Sequence, residues 1–419
     1  MKLVHINYSD INGGAARAAY RIHHALIEYG IDSSMFVNQA SAGDWTVQVP
    51  KGKLEKVVKK LTPSLGGLAR HLLKTTNPII HSPAIIPSKW PQRLNKMEAD
   101  LIHIHWVNGE MLSIAGIGSI KTPIVWTLHD MWAFCGAEHY TEEFRWKEGY
   151  FKHNRPSYES GFDLNRWTWE RKLKHWQRPL HIVTPSSWLA ECVHQSALMH
   201  DWPVTIVPNA IDTDIWQPVK KTLARQLLHL PPDVPLLVFG AMGGANDPRK
   251  GFDLLQSALE YLQGEIPGLE LIIFGSLAPP TPIDLGYPMH YTGHLHDDIS
   301  LRLLYSAADA IVVPSRLEAF GQTASEAHSC ATPVIAFNTG GLPDIVDHKE
   351  TGYLARPFDI GDLAKGIQWV LSDSVRHKEL TQAARKKAVR CFSYPVVAEQ
   401  YLKVYEQACK SSTESQSIN

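Results

Sequence analysis

Residues 316–326 read RLEAFGQTASE, and they are the most informative part of the sequence about the architecture of the chain. The preceding residues 308–314, ADAIVVP, are apolar and β-branched, which predicts a buried strand. The following residues 322–331 are rich in helix formers and predict a helix. Glu318 then lies at the carboxyl end of the strand, where open parallel α/β sheets bind their ligands. We therefore expect a strand-loop-helix unit with a binding loop.

This loop offers groups for a ligand that carries both a diphosphate and hydroxyl groups. Gly321 lets the backbone turn tightly, and the amides of Gly321, Gln322 and Thr323 open a helix whose N-terminus favours phosphate. Glu326 lies one turn into that helix, where its carboxylate can accept hydrogen bonds from a sugar diol. The carboxylate of Glu318 can likewise accept hydrogen bonds from the hydroxyl groups of a second sugar. The pattern indicates a nucleotide sugar.

The longer segment SRLEAFGQTASEAHSCATPVIAFNTGGLPDIV resembles glycosyltransferase family 4, a family of retaining enzymes with the α/β GT-B fold. The resemblance covers nearly the whole chain. Two glutamates at this spacing are common by chance on solvated helices, but the flanking strand, glycine and PVIAFNTGG pattern are not. The resemblance implies that Glu318 is catalytic and reaches the donor sugar, that Glu326 holds the ribose, and that Phe320 belongs to the donor-binding loop.

The composition is that of an ordinary folded protein with two domains. The chain has 419 residues, 44% of them hydrophobic and 20% charged, which is too long for one core. The formal net charge of -1 gives no attraction toward nucleic acid. The five cysteines show no C-x-x-C spacing, which favours a reducing compartment and argues against structural zinc. Without a signal-peptide pattern or an apolar run of ~20 residues, we expect a cytoplasmic protein.

The GT-B resemblance implies two Rossmann-like domains that face each other across a cleft. We expect residues 1–212 to bind the acceptor and residues 213–394 to bind the nucleotide sugar, with the domain boundary after the PNAID sequence. A helix at residues 395–410 is expected to cross back to the first domain. Residues 411–419, SSTESQSIN, form a polar tail that we expect to be disordered.

The first domain begins with a predicted strand at residues 2–9, followed by Gly13, Gly14 and a predicted helix. The two glycines can bring the backbone close to a ligand at the helix N-terminus, although they are equally compatible with a simple tight connection. The resemblance implies that this loop faces the donor diphosphate.

Histidines close two further predicted strands, at residues 100–106 (DLIHIHW) and 123–130 (PIVWTLHD). The resemblance implies that His129 is catalytic and contacts the donor sugar, the alternative being a structural histidine. We interpret His103 and His105 as strand-end packing, because no thiol or carboxylate partner follows at the spacing of a metal site. We therefore expect no metal.

The second domain opens with GAMGGANDPRKGFDLL, in which glycines, Arg249 and Lys250 at a helix start predict an anion site. Lys250 and the glycine after it match the family pattern. The family's arginine, which follows the first glycine of the loop, is replaced here by Ala241. We expect Arg249 to take its place.

Two basic stretches have alternative interpretations. Residues 51–74 carry seven basic residues and one acidic residue, with an apolar stripe at helical spacing, so they predict either contact with an anionic membrane or an ordinary surface helix. In residues 166–178, RWTWERKLKHWQR, we expect Trp169, Leu173 and Trp176 to share a face that packs on the core. Contact of this face with the acceptor or a membrane is the alternative.

The sequence thus predicts a retaining, metal-independent, front-face hexosyltransferase that uses a nucleotide diphosphate sugar as co-substrate and no other cofactor. A glycan or lipid-linked molecule is the expected acceptor. A nucleotide-sugar-binding protein without transfer and a GT-B epimerase are the alternatives, and the two glutamates weaken the latter. A glycogen-synthase-like polymerase is disfavoured by the short first domain. A dehydrogenase is disfavoured because no G-x-G-x-x-G follows the first strand.

Overall fold

The computed structural model describes residues 1–50, 52, 66–68, 70–240, 247–279, 283–295 and 297–417. The chain folds into two compact units, one formed by Met1–Val207 with Val397–Asn419 and the other by Pro208–Val396. Most of the basic stretch at residues 51–74, including its predicted apolar stripe, lies outside the described residues, as does Ala241.

The first unit is built on a sheet whose seven strands pair in parallel. The strands of this unit are β1 (Lys2–Ser9), β2 (Asp32–Gln39), β3 (Val47–Gln48), β4 (Leu73–Lys74), β5 (Leu101–Ile104), β6 (Ile124–Thr127), β7 (Ser160–Gly161), β8 (His181–Thr184) and β9 (Val204–Ile206). The sheet has the order β3-β2-β1-β5-β6-β8-β9, and β4 pairs separately with β7 in antiparallel fashion. The strands predicted at the N-terminus and before the histidines are confirmed.

Helices follow most of these strands, as expected where parallel strands need crossover connections. They are α1 (Gly14–Glu28), α2 (Trp90–Leu94), α3 (Ile114–Gly118), α4 (Arg145–Glu148), α5 (Leu164–His175) and α6 (Ser187–Gln195). Helix α1 buries a run of alanine, isoleucine and leucine side chains, because apolar residues recur at helical spacing in GAARAAYRIHHALIE.

The second unit repeats this architecture. Its strands are β10 (Leu236–Gly240), β11 (Glu270–Phe274), β12 (Met289–Gly293), β13 (Ala310–Val313), β14 (Val334–Phe337) and β15 (Gly352–Ala355). They pair in parallel in the order β12-β11-β10-β13-β14-β15. Its helices are α7 (Lys221–Leu227), α8 (Phe252–Tyr261), α9 (Asp298–Ala307), α10 (Gln322–Ser329), α11 (Leu342–Ile345), α12 (Ile360–Leu371) and α13 (Ser374–Phe392). The predicted strand and helix on either side of residues 316–321 are β13 and α10.

The last helix, α14 (Tyr394–Ser417), returns to the first unit, as the resemblance implies. The hydroxyl of Tyr401 lies 3.0 Å from Thr127 Oγ1, and the hydroxyl of Tyr405 lies 2.8 Å from His103 Nδ1. The helix continues through Ser411, where the polar tail begins, as far as Ser417. No glycine or proline follows Tyr401 to stop the helix, and propagation of an existing helix is favourable.

The basic, aromatic helix α5 packs on the core, but by a different face from the one expected. Trp169 and Trp176 are buried, whereas Leu173 is 48% exposed. The third buried position is Lys172, which is 0% exposed. Positions 169, 172 and 176 share one side of the helix as well as 169, 173 and 176 do, so spacing alone could not distinguish leucine from lysine.

Candidate functional site

The predicted donor-binding cation and the predicted catalytic carboxylate lie side by side in the second unit. Lys250 Nζ is 2.6 Å from Glu318 Oε1, and both side chains are half-buried. Ser315 Oγ donates a second hydrogen bond to the same oxygen at 2.9 Å. Glu318 lies on the loop after β13, so the structure brings together two residues that are 68 positions apart.

Close backbone packing fixes this pair. Gly251 has φ +67, and a Cβ atom there would lie 2.0 Å from the carbonyl oxygen of Pro314. The amide of Arg316 donates to the carbonyl of Arg249 at 2.7 Å, which joins the two loops again. Only glycine permits both this backbone conformation and this approach. The segment that carries Lys250 is therefore held against the carboxyl end of β13.

The N-terminus of α10 lies three residues after Glu318. Gly321 caps it with φ +110, and Gln322 and Thr323 form the first turn. Glu326, one turn further, is 6% exposed and accepts a hydrogen bond from the Tyr305 hydroxyl at 3.2 Å. The helix therefore offers backbone amides at its start and a largely buried carboxylate behind them, which suits an anion joined to a hydroxyl-bearing group.

Two predicted donor-binding side chains have other contacts. Phe320 is 3% exposed and packs edge-on against Phe392, so its backbone is the part left for a ligand. The Arg249 guanidinium donates to both carboxylate oxygens of Asp247, at 3.1 and 2.7 Å. Burial raises the pKa of Asp247, but the bonds and charge from Arg249 outweigh it and lower the pKa overall. Arg249 is thus held within its own turn.

The remaining predicted site residues, Gly13, Gly14 and His129, belong to the first unit. Gly13 caps α1 with φ +104, and a Cβ atom at this position would meet nothing within 4 Å. Glycine is therefore favoured at position 13 by its backbone conformation and not by close packing. His129 follows β6, and burial lowers its pKa to about 4 despite the nearby Asp130, so the ring is neutral near pH 7.

Sequence reasoning missed a buried hydrogen-bond network directly after His129. Asp130 Oδ2 lies 2.6 Å from His139 Nδ1, and His139 Nε2 lies 2.8 Å from Ser82 Oγ. Serine hydrolases use the same order of side chains. Here, however, Ser82 and His139 are 7% and 4% exposed, so the network braces the loop after His129 and leaves a substrate no access to the serine.

Lys172 anchors the same loop. Its ammonium donates to the backbone carbonyls of Trp132, Cys135 and Gly136, and it lies 3.9 Å from the centre of the Trp132 ring. Burial lowers the pKa of this ammonium. One buried lysine side chain thus binds three backbone carbonyls. Its position in a basic helical segment gave no indication of this role in the sequence.

Three buried histidines could present nitrogen ligands to a metal. One nitrogen each of His5, His103 and His105 lies within 4.8 Å of the others, and the sequence interpretation had not included His5. Both nitrogens of His103 are already bonded, to Thr127 and Tyr405, and both of His105 are bonded to other histidines. A cation would have to displace these bonds, so the cluster fits a hydrogen-bond network better than a metal centre.

Comparison with known proteins identifies two family domains. Residues 12–215 match Glycosyltransferase Family 4, and residues 239–387 match Glycosyl transferases group 1. The chain is 34% identical over 223 residues to D-inositol 3-phosphate glycosyltransferase of Xylanimonas cellulosilytica, which covers 49% of this chain and 52% of the relative. The similar protein of Saccharomonospora viridis is 31% identical over 225 residues, covering 49% and 50%. The chain thus spans about half the length of the curated relatives it matches.

Solved structures of glycosyltransferases share the fold. Sucrose-phosphate synthase from Thermosynechococcus elongatus aligns with a TM-score of 0.67 at 20% identity, covering 98% of this chain and 100% of that protein. HepE from Anabaena, solved in complex with UDP and glucose, aligns with a TM-score of 0.63 at 17% identity, covering 97% and 99%. WaaG, a glycosyltransferase of lipopolysaccharide biosynthesis, gives 0.63 at 16% identity, covering 96% and 99%. The expected GT-B fold is confirmed.

Proposed function

The chain belongs to the glycosyltransferases that join a family 4 domain to a group 1 domain, and we propose that it transfers a hexose-type sugar from a nucleotide diphosphate sugar to a glycan or lipid-linked acceptor. The observation that carries the proposal is the contact of Lys250 with Glu318, three residues before the glycine-capped N-terminus of α10. Cation, carboxylate and amides are the groups that a diphosphate with an attached sugar requires.

In this proposal the second unit holds the donor. Lys250 and the amides of Gly321, Gln322 and Thr323 neutralise the diphosphate, and the largely buried carboxylate of Glu326 accepts hydrogen bonds from the ribose. Glu318 meets the hydroxyl groups of the sugar. The first unit contributes the backbone of Gly13 and Gly14 and the neutral ring of His129. HepE, a protein of the same fold, is solved with UDP and glucose.

We propose transfer with retention by front-face attack, without a covalent intermediate and without a divalent cation. Lys250 and the positive end of α10 supply the charge that stabilises the departing diphosphate. A donor phosphate oxygen accepts the proton of the acceptor hydroxyl, the bond from the anomeric carbon to the diphosphate breaks, and the bond to the acceptor oxygen forms on the same face. Neither glutamate has to attack the sugar.

We also propose a peripheral contact with an anionic membrane at the cytoplasmic face. In the described residues, Leu68, Leu72 and Phe162 are 62%, 58% and 44% exposed, and the Phe162 amide bonds the Leu72 carbonyl at 2.9 Å. Exposed Arg70 and Lys74 lie beside them in the chain. These five residues, here named the hairpin patch, combine apolar contact with positive charge. None of the helices searched among the described residues is long and apolar enough to span a bilayer.

The test is a panel of nucleotide sugars screened first for thermal stabilisation and then for transfer. A ligand at a hundredfold its dissociation constant adds ~2.7 kcal/mol to stability, which is readily measured. We expect one donor to stabilise the protein and to release nucleotide diphosphate in the presence of acceptor. Stabilisation with no release under any acceptor condition would favour a binding protein, and interconversion of the donor sugar would favour an epimerase.

A further inference from the structure

Three histidine rings in the first unit form a hydrogen-bonded row that ends at His129. His5 Nδ1 lies 2.9 Å from His105 Nε2, and His105 Nδ1 lies 3.2 Å from His129 Nε2. His5 and His105 are 0% and 2% exposed, whereas His129 is half-buried. This histidine row connects the interior of the sheet to a ring that is partly exposed.

The row constrains the tautomer of every ring in it. Burial lowers the pKa of His5 and His105 well below 6.5 and that of His129 to about 4, so all three rings are neutral near pH 7. A neutral imidazole has one donor nitrogen and one acceptor nitrogen. His105 uses both of its nitrogens within the row, so the two hydrogen bonds must point in the same direction.

The inner end of the row decides that direction. His5 Nε2 is buried and has no partner among the described residues. A buried N–H without an acceptor is rarer in proteins than an acceptor whose lone pair is unfilled. We therefore assign His5 Nε2 as the unprotonated nitrogen, which places the proton of His5 on Nδ1. His5 then donates to His105 Nε2, His105 donates to His129 Nε2, and the His129 proton resides on Nδ1.

The surroundings hold the row in place. The indole N–H of Trp126 donates to the His105 carbonyl at 3.0 Å, and His105 packs on His103 with ring centroids 4.1 Å apart. His103 is in turn held between Thr127 Oγ1 and the Tyr405 hydroxyl, at 2.7 and 2.8 Å. The rings of the row therefore have little freedom to rotate or to exchange roles.

We propose that His5 and His105 are positioning residues that keep the proton of His129 on Nδ1, so that the edge of the ring opposite the row is a fixed hydrogen-bond donor. The consequence for catalysis rests on the proposed function, in which His129 meets the donor sugar. A fixed donor would select a sugar oxygen as its partner and would prevent the ring from accepting a hydrogen bond or a proton at that edge.

The experiment compares His5→Asn with His5→Phe in the full chain. The asparagine amide N–H can replace the Nδ1–H of His5, whereas phenylalanine provides no donor. Ring-nitrogen NMR of the ¹⁵N-labelled protein, with the His129 signals identified by their loss in His129→Gln, should show protonated Nδ1 in the wild type and in His5→Asn. It should show a mixture of tautomers in His5→Phe.

Turnover provides the second measurement. His5→Phe should lower kcat by about fivefold, the effect of losing one oriented hydrogen bond, and His5→Asn should restore most of it. His181 is a matched control, because it is another strand histidine of the same sheet, bonded to Thr205 Oγ1 at 2.9 Å and outside the row. His181→Phe should change neither the His129 tautomer nor kcat.

Three results would overturn the proposal: a wild-type His129 protonated on Nε2, an unchanged tautomer in His5→Phe, or a zinc ion bound stoichiometrically by the histidine cluster. If the tautomers behave as expected but no nucleotide sugar is turned over by any variant, the positioning role stands and the proposed transferase function fails.

Discussion

Lys250 Nζ and Glu318 Oε1 are 2.6 Å apart, in a contact that joins the turn before α8 to the loop after β13. The cation predicted to meet the diphosphate and the carboxylate predicted to meet the sugar are therefore direct neighbours. A donor that uses both must lie across the pair, with its phosphate toward Lys250 and its sugar toward Glu318. Each of the two residues then controls the orientation of the other.

The first prediction concerns Lys250. Charge-assisted hydrogen bonds contribute ~1.5–3 kcal/mol, so Lys250→Ala should weaken binding of the free nucleotide diphosphate by about tenfold or more. Isothermal titration calorimetry measures this directly. Lys221→Ala is the matched control, because Lys221 forms an ion pair of the same length with Asp309 in the same unit. Equal affinities for the wild type and Lys250→Ala would contradict the assignment.

The second prediction concerns the buried ammonium of Lys172. Lys172→Met keeps the length of the side chain but leaves the carbonyls of Trp132, Cys135 and Gly136 without this donor. Unsatisfied buried acceptors should lower the free energy of unfolding by about 2–4 kcal/mol. Urea denaturation gives the value. Lys174→Met, at an exposed position of the same helix, should stay within about 0.5 kcal/mol of the wild type.

The third prediction is a loss of stability in acid caused by buried neutral histidines. Burial lowers the pKa of His5, His103 and His105 well below 6.5, and that of His129 to about 4. Below pH 6.5 the unfolded chain therefore binds more protons than the folded chain. The free energy of unfolding is therefore highest above pH 6.5, and it decreases as the pH falls toward the pKa values of these histidines in the folded chain.

Each such histidine contributes up to about 1.4 kcal/mol per pH unit to the dependence of the free energy of unfolding on pH. Urea denaturation should show that the free energy of unfolding decreases as the pH is lowered from 7 to 5. His5→Phe should reduce the slope of the free energy of unfolding against pH by the equivalent of about one proton. An unchanged slope in His5→Phe would mean that His5 is protonated to the same extent in both states.

Particular residues show how far the sequence predicts this molecule. Strand β13 and helix α10 can be predicted from the local sequence. The residues that determine the β-branched strand and the glycine-capped helix all lie within about 20 positions. The histidine row does not. His5 comes within hydrogen-bond distance of His105 only because β1 pairs in parallel with β5, and strand pairing over such a separation cannot be read from residue spacing. Lys172 was missed for a related reason, since charged residues are seldom fully buried.

The fourth prediction tests the hairpin patch as a membrane contact. Phe162→Ser combined with Leu72→Ser removes exposed apolar surface without changing charge, and should weaken binding to vesicles containing anionic phosphatidylglycerol by about tenfold. Vesicle co-sedimentation at low and high salt measures it, because screening weakens the electrostatic part. Trp45→Ser is the control, since Trp45 is 90% exposed and lies outside the hairpin patch. Equal loss in both variants would indicate nonspecific adhesion.

The last prediction separates the two glutamates, whose surroundings already differ. Glu326 is largely buried behind the start of α10 and is held by the Tyr305 hydroxyl at 3.2 Å, whereas Glu318 contacts Lys250 and Ser315. In the proposed function, Glu326 binds the ribose and Glu318 binds the sugar. The ribose is bound alike before and during reaction, while the sugar changes toward an oxocarbenium-like transition state.

Loss of a contact that is equal in ground and transition states raises KM, whereas loss of one that strengthens in the transition state lowers kcat. Glu326→Gln should therefore weaken both the donor and the free nucleotide diphosphate with little change in kcat. Glu318→Gln should lower kcat and leave affinity for the free nucleotide intact or higher, because Lys250 loses a competing carboxylate. Measurement of kcat, donor KM and free-nucleotide affinity for both variants tests which glutamate binds the ribose and which binds the sugar. A Glu318→Gln protein that keeps kcat but loses nucleotide binding would show that the roles are reversed.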